Sequence, residues 1–118
     1  MTNILEQIIQ NKKETLSLIK KNNSLDSLEK KIKSLNFFNN FKKTIQNNKG
    51  ISLISEIKKA SPSAGILVKN FNHLNIAKMY IDNGSTCLSV LTEEKYFLGK
   101  LDYITDIKNK FKIIKEFL

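Results

Sequence analysis

Apolar residues recur at helical spacing in three stretches of the first fifty residues. The first stretch, residues 4–21, gathers lysines near its end, where a helix dipole favours positive charge. Ser24 then suits the N-cap of a second helix, and Gly50 suits the C′ position after a third. The apolar positions are Ile4, Ile8, Ile9, Leu16 and Ile19, then Leu25, Leu28, Ile32 and Leu35, then Phe37, Phe38, Phe41 and Ile45. Residues 1–50 are therefore predicted to form an N-terminal helical extension.

The pattern changes at residue 51, where apolar and polar positions begin to alternate as in a β-strand. After this strand, residues 51–58, a loop with Pro62 and Gly65 leads to a helix that Asn72 can cap and Gly84 can end. A second strand at 86–92, a helix with apolar positions from Leu101 to Phe111, and a third strand near the end complete the pattern. This β-α-β-α-β order over residues 51–118 predicts a parallel sheet with covering helices.

An open sheet of three parallel strands leaves two edges and much apolar surface uncovered. A complete (β/α)₈ barrel needs roughly 250 residues, and this chain has 118. If residues 51–118 belong to such a barrel, they are a piece of one.

The charge of +9 invites a nucleic-acid-binding hypothesis. All 20 basic residues are lysines, however, and they are scattered along the chain. Arginine, which is absent, is the residue best suited to bidentate contacts with phosphate and guanine. Lys, Asn and Ile supply 50 of the 118 residues, which indicates AT-rich codons. Solvated surface and compositional drift are favoured over a functional basic patch, and no nucleic-acid partner is expected.

The single cysteine, Cys87, excludes an internal disulfide framework and a Cys-rich zinc site, and its place on the second strand predicts a small buried side chain. No apolar run is long enough to span a membrane. The N-terminus lacks a basic segment followed by an apolar one, so no signal peptide is expected. These features predict a cytoplasmic protein without a membrane partner.

The first strand carries the clearest candidate chemistry. Alternation places Ile54, Glu56 and Lys58 on one face and Ser55 and Ile57 on the other. Glu56 and Lys58 then lie side by side at the C-terminal end of the strand, which is where barrel enzymes perform catalysis. A carboxylate and an ammonium there can act together on a bound anion. The alternative is an exposed ion pair on an edge strand, worth about 0–1 kcal/mol.

The loop that follows, residues 61–65, supplies the hydroxyls of Ser61 and Ser63 together with backbone N–H groups. Such groups can hold a phosphate or a carboxylate. The same residues also suit an ordinary turn.

Two segments, LISEIKKASPSAG at 53–65 and LSVLTEEKYFLG at 88–99, resemble the N-terminal signature segments of the indole-3-glycerol phosphate synthase family. The opening helical stretch is similar to that family's extra N-terminal region. The resemblance implies the N-terminal portion of a (β/α)₈ barrel, about three of eight strands, preceded by extra helices. It also implies a carboxy-lyase of tryptophan biosynthesis that needs no metal or organic cofactor. The family converts 1-(2-carboxyphenylamino)-1-deoxyribulose 5-phosphate to indole-3-glycerol phosphate, carbon dioxide and water.

The resemblance also assigns roles to individual residues. Glu56 matches a glutamate that handles protons or developing positive charge, and Lys58 matches a lysine that contacts the anionic substrate. Ser61, with Ser63 of the same loop, matches the substrate-binding serine segment. Phe97 matches an aromatic residue that packs against the substrate, although a core or lid aromatic is an alternative. Glu93 and Glu94 lie in the second segment and are assigned no chemistry.

The end of the chain departs from the family pattern. The family's general acid is a lysine in a Lys-Asp-Phe motif at the third strand, and Lys115 in Lys-Glu-Phe could correspond to it. The preceding stretch is shorter than usual, so Lys115 could instead be a charged tail residue. The second half of the barrel has no counterpart here, and a missing C-terminal barrel half is a possible partner. The chain alone is expected to have little or no activity on the small phosphorylated substrate. Two alternatives to a fragment of the enzyme stay open, namely an inactive remnant of it and, less favoured, a basic nucleic-acid-binding module.

Overall fold

A computed structural model describes residues 3–36 and 38–111 in two compact units, one up to Phe38 and one from Asn39 onwards. The predicted third strand and Lys115 lie outside the described residues. The helices are α1 (Ile4–Asn22), α2 (Leu25–Lys33), α3 (Phe41–Asn47), α4 (His73–Asp82) and α5 (Asp102–Lys110). The strands are β1 (Ile54–Ile57), β2 (Ala60–Ser61), β3 (Gly65–Ile66) and β4 (Cys87–Val90).

The first unit contains α1 and α2, and side chains cap both helices. Asn3 Oδ1 accepts a hydrogen bond from the Leu5 amide at 3.1 Å. Ser24 Oγ accepts one from the Ser27 amide at 3.2 Å, which confirms Ser24 as an N-cap. These bonds satisfy amide donors that have no partner within the helix. None of the described residues of α1 or α2 is buried, so local bonds rather than core packing define these helices within their unit.

Helix α3 belongs to the second unit, where it packs against β4 with Thr44 buried. The prediction that Gly50 occupies the C′ position is wrong. The helix ends at Asn47 and its C-cap is Asn48, so Lys49 occupies the C′ position. The Asn48 backbone amide donates to the Ile45 carbonyl, and its side-chain amide donates to Ser52 Oγ at 3.1 Å. The Asn48 side chain therefore organises the exit from the helix without a left-handed glycine. The domain boundary between residues 50 and 51 stays a prediction.

Strands β1 and β4 form a parallel pair in which Ile54 lies opposite Cys87 and Ile57 lies opposite Val90. Helix α4 connects them and packs on β1, and α5 packs on α4. Among the described residues, one cluster of packed, buried side chains lies between the sheet and these helices and contains Ile57, Ala77, Leu88 and Ile107. The predicted β-α-β-α order is thus confirmed through α5, with an α/β arrangement around a small parallel sheet.

The two faces of β1 differ as the alternation predicts. Ser55 and Ile57 are buried on the helix-covered face, whereas Ile54 and Glu56 are exposed on the other. Cys87 begins β4 and is only 1% exposed, which confirms its predicted burial. The face that carries Glu56 is therefore the one open to a ligand.

The loop after β1 is more ordered than predicted, because it contains the antiparallel pair β2–β3. Three residues, 62–64, turn the chain, and Gly65 adopts a φ of +67°, which a residue without Cβ tolerates best. The Leu67 amide donates to the Lys59 carbonyl at 2.9 Å and closes the base of this hairpin. Two-residue strands give almost no periodic signal, so alternation could not predict them.

No helix in the described ranges is long and apolar enough to cross a membrane.

Candidate active site

The candidate site lies at the edge of the sheet where parallel strands β1 and β4 both end. Glu56 and Lys58 project from alternate positions there, and Lys58 Nζ lies 2.6 Å from Glu56 Oε2. Their side chains keep 46% and 29% of their surface exposed, in the order Glu56, Lys58. The prediction that these two side chains share one face is confirmed. Since water still reaches both groups, the pair adds little to stability and is accessible to an anionic ligand.

The backbone beneath this pair is held from a neighbouring helix. The Tyr80 hydroxyl of α4 donates to the Glu56 carbonyl at 3.2 Å. Ser89 of β4 lies opposite Glu56 in the parallel register, so its side chain belongs to the same face. Ser89 is not among the candidates predicted from the sequence. Its position parity and the predicted pairing of the two strands are the signals that identify it.

The serine loop is closed by its own hydroxyls. Ser61 Oγ accepts a hydrogen bond from the Ala64 amide at 3.2 Å and lies 3.5 Å from Ser63 Oγ. The Ala64 amide is thus engaged within the turn, whereas the sequence suggests that amides of this loop are available to a ligand. The two hydroxyls remain side by side on an exposed turn just after Lys58.

Phe97 lies in the loop after β4, and Glu93 organises that loop. Glu93 Oε2 accepts hydrogen bonds from the amides of Tyr96 at 2.7 Å and Phe97 at 3.1 Å. Glu93 Oε1 accepts a third from the Lys95 amide at 3.1 Å. Phe97 itself is half-buried. Glu93 has no predicted role from the sequence, because no spacing signal shows that three later amides converge on its carboxylate.

The structure brings the predicted residues together in pairs. Two direct contacts join them in the described part of the chain, between Glu56 and Lys58 and between Ser61 and Ser63. Phe97 belongs to the loop of the neighbouring strand, at the same edge of the sheet. Within residues 3–36 and 38–111, no group of three or more His, Cys, Asp or Glu side chains is placed to hold a metal ion.

Comparison with known proteins identifies the family to which this arrangement corresponds. The model of the indole-3-glycerol phosphate synthase family matches residues 5–118. The chain belongs to the indole-3-glycerol phosphate synthase family. This confirms the resemblance carried by the two signature segments, and it places the Glu56–Lys58 pair and the Phe97 loop within the matched region.

Individual members of the indole-3-glycerol phosphate synthase family match over most of this chain. The synthase of Desulforamulus reducens is 44% identical over 107 residues, which are 91% of this chain and 40% of that protein. The synthase of Aliarcobacter butzleri is 45% identical over 109 residues, covering 90% and 41%. That of Clostridium acetobutylicum is 44% identical over 106 residues, covering 89% and 40%. The chain therefore spans about two fifths of the length of the curated relatives it matches.

Proposed function

We propose that this chain is the N-terminal part of an indole-3-glycerol phosphate synthase and supplies residues to indole ring closure. The substrate is 1-(2-carboxyphenylamino)-1-deoxyribulose 5-phosphate, which loses carbon dioxide and water as indole-3-glycerol phosphate forms. The observation that carries this proposal is the exposed Glu56–Lys58 pair at the carboxyl end of β1 in a chain of this family.

Lys58 would hold an anionic group of the substrate. Its ammonium is already 2.6 Å from Glu56 and is partly exposed, so a substrate carboxylate can approach it without unfolding the strand. Glu56 would stabilise the positive charge of the iminium-like intermediate and later accept a proton. Placing the two groups on one face lets one cation and one carboxylate act on opposite charges of the same ligand.

The remaining predicted residues would complete the substrate site. Ser61 and Ser63 present neighbouring hydroxyls on the turn that follows β1 and would donate hydrogen bonds to substrate oxygens. Phe97 would pack against the aromatic ring of the substrate. Lys115 would act as general acid by protonating the departing oxygen; this role rests on the Lys-Glu-Phe string in the sequence.

The rest of the site would come from the second part of a (β/α)₈ barrel. This chain would supply about three of the eight strands, all from the N-terminal part. The open face of β1 supports this arrangement, because on that face Ile54 leaves 48% of its surface exposed and the Glu56 side chain leaves 46% exposed. Additional strands would cover these side chains and surround Glu56 with further catalytic groups.

The experiment is to produce the 118-residue chain together with the C-terminal three fifths of the Desulforamulus reducens synthase and to measure indole-3-glycerol phosphate formation. Lys58→Ala should lower kcat/KM by about 100-fold or more, because it removes a charge-assisted contact with an anionic group of the substrate. Lys78→Ala is the matched control, because Lys78 also pairs with a carboxylate, Asp82, but on the exposed surface of α4. Its rate should change by less than about twofold.

Retention of activity in Lys58→Ala would overturn the assignment of Lys58. The control is the relative's own N-terminal part, produced with the same C-terminal part. If this control is active and the assembly with the 118-residue chain is not, the chain is better described as an inactive remnant of the enzyme. Lys115→Ala, compared with Lys112→Ala, tests the general acid in the same assembly: only the former should abolish turnover.

A further inference from the structure

We propose that Glu93 is a positioning residue that holds the loop after β4 so that Phe97 is presented to the substrate. This inference rests on the proposed function for the role of Phe97, and on geometry alone for the role of Glu93. Three consecutive amides, those of Lys95, Tyr96 and Phe97, donate to its carboxylate at 2.7–3.1 Å. The Phe97 amide is thus itself held by Glu93.

The base of the loop is fixed independently of this carboxylate. The Gly99 amide donates to the Glu93 carbonyl at 2.8 Å, and Leu98 adopts a φ of +52°, which reverses the chain. Gly99 lies against the end of β4, where an added Cβ would be 2.2 Å from the Leu91 carbonyl oxygen. Because the two ends of the loop are fixed, the conformation of residues 95–97 depends on what their amides bind. Glu93 is the group that binds them.

A carboxylate suits this role better than its close analogues. Three donors converge on two acceptor oxygens, and both oxygens of a carboxylate accept. A glutamine would offer one acceptor oxygen and turn an NH₂ group towards backbone N–H donors. An aspartate is one methylene shorter and would not reach the same three amides from the same backbone position. Glu94, the next residue, is exposed and is the matched control for loss of a carboxylate.

The first arm of the test is amide hydrogen exchange of the full 118-residue chain, which needs no activity. In Glu93→Gln the amides of residues 95–97 should exchange about tenfold faster or more, whereas Glu94→Gln should change them less than about twofold. Amides of α4 should keep their rates in both variants, which separates loosening of the loop from global unfolding. Unchanged exchange at 95–97 would overturn the proposal.

The second arm is a double-mutant cycle with Phe97→Ala in the assembly described above. Glu93→Gln should lower kcat/KM about tenfold with Phe97 present and less than about twofold in the Phe97→Ala background. Additive losses would show that Glu93 acts on the fold and not through Phe97, which would overturn the positioning role. Phe97→Leu should retain most of the activity that Phe97→Ala loses. This result would confirm that an apolar side chain is what the loop presents.

The two arms separate failure of the inference from failure of the proposed function. If the wild-type assembly is silent while the relative's own N-terminal part restores activity to the same C-terminal part, the proposed function fails, and the exchange rates alone decide whether Glu93 holds the loop. If the assembly is active and exchange at 95–97 is unaffected by Glu93→Gln, the inference fails and the proposed function stands.

Discussion

His73 Nε2 lies 2.8 Å from Asp106 Oδ2, and the same imidazole stacks on Tyr103 with 4.3 Å between ring centroids. The two contacts join the first turn of α4 to α5. Since α5 covers α4 and α4 covers β1, they help to hold the helical layer behind the candidate site.

His73→Ala should lower the free energy of unfolding by about 1–2 kcal/mol, because it removes a hydrogen bond to the exposed Asp106 carboxylate and the stack of a half-buried imidazole on Tyr103. Urea unfolding of the full chain, followed by circular dichroism, measures the change. Lys78→Ala removes an exposed ion pair on the same helix and should cost less than about 0.5 kcal/mol. Equal losses in the two variants would contradict a specific role for the imidazole.

Gly99→Ala should destabilise the chain by about 3 kcal/mol, because the new Cβ would overlap the Leu91 carbonyl. This carbonyl belongs to the backbone, so it cannot move aside as the end of a flexible side chain can. Gly50→Ala is the control, since nothing lies within 4 Å of its Cβ position. The thermal midpoint should fall markedly for the first variant and barely move for the second. A neutral Gly99→Ala would mean that the loop shifts away from β4 at little cost.

Ser85→Ala should cost about 1–3 kcal/mol, the usual penalty for leaving a buried polar group without its partner. Ser85 Oγ lies 2.8 Å from Ser55 Oγ and 2.8 Å from the Cys87 carbonyl, and Ser55 is buried. Ser17→Ala is a control, because that hydroxyl bonds an exposed carbonyl of α1 and its loss should be nearly neutral. The prediction would be wrong if the two variants had the same denaturant midpoint.

The 118-residue chain alone should convert the substrate at a rate indistinguishable from background. It spans about two fifths of the relatives it matches, and the proposed site needs groups from the remainder. Product formation by the purified chain is the measurement. Turnover by the chain alone that Lys58→Ala abolishes would contradict this expectation.

Local patterns predicted the elements that have a strong period. Alternation along residues 51–58 placed Glu56 and Lys58 on one face, and Asn72 was identified as the cap of α4, where its Oδ1 accepts from the Asn75 amide at 3.0 Å. These features depend on neighbours in the chain, and the sequence shows those neighbours directly.

Features that depend on distant residues escaped prediction. His73 and Asp106 are 33 positions apart, and no spacing rule links them. The role of Glu93 depends on where three later amides point, which in turn depends on how Gly99 meets Leu91. The signature segments identified the family, but the identity of a motif does not reveal which of its residues hold the others in place.

Burial of Cys87 has a practical consequence. It is the single thiol of the chain, it is 1% exposed, and it lies opposite Ile54 in the sheet. A thiol reagent in solution can react with it only when β1 and β4 separate or the covering structure opens. The rate of labelling would therefore report the opening free energy of this sheet directly. Any partner that completes the sheet should slow that labelling, so the labelling rate of Cys87 would show when such a partner has bound.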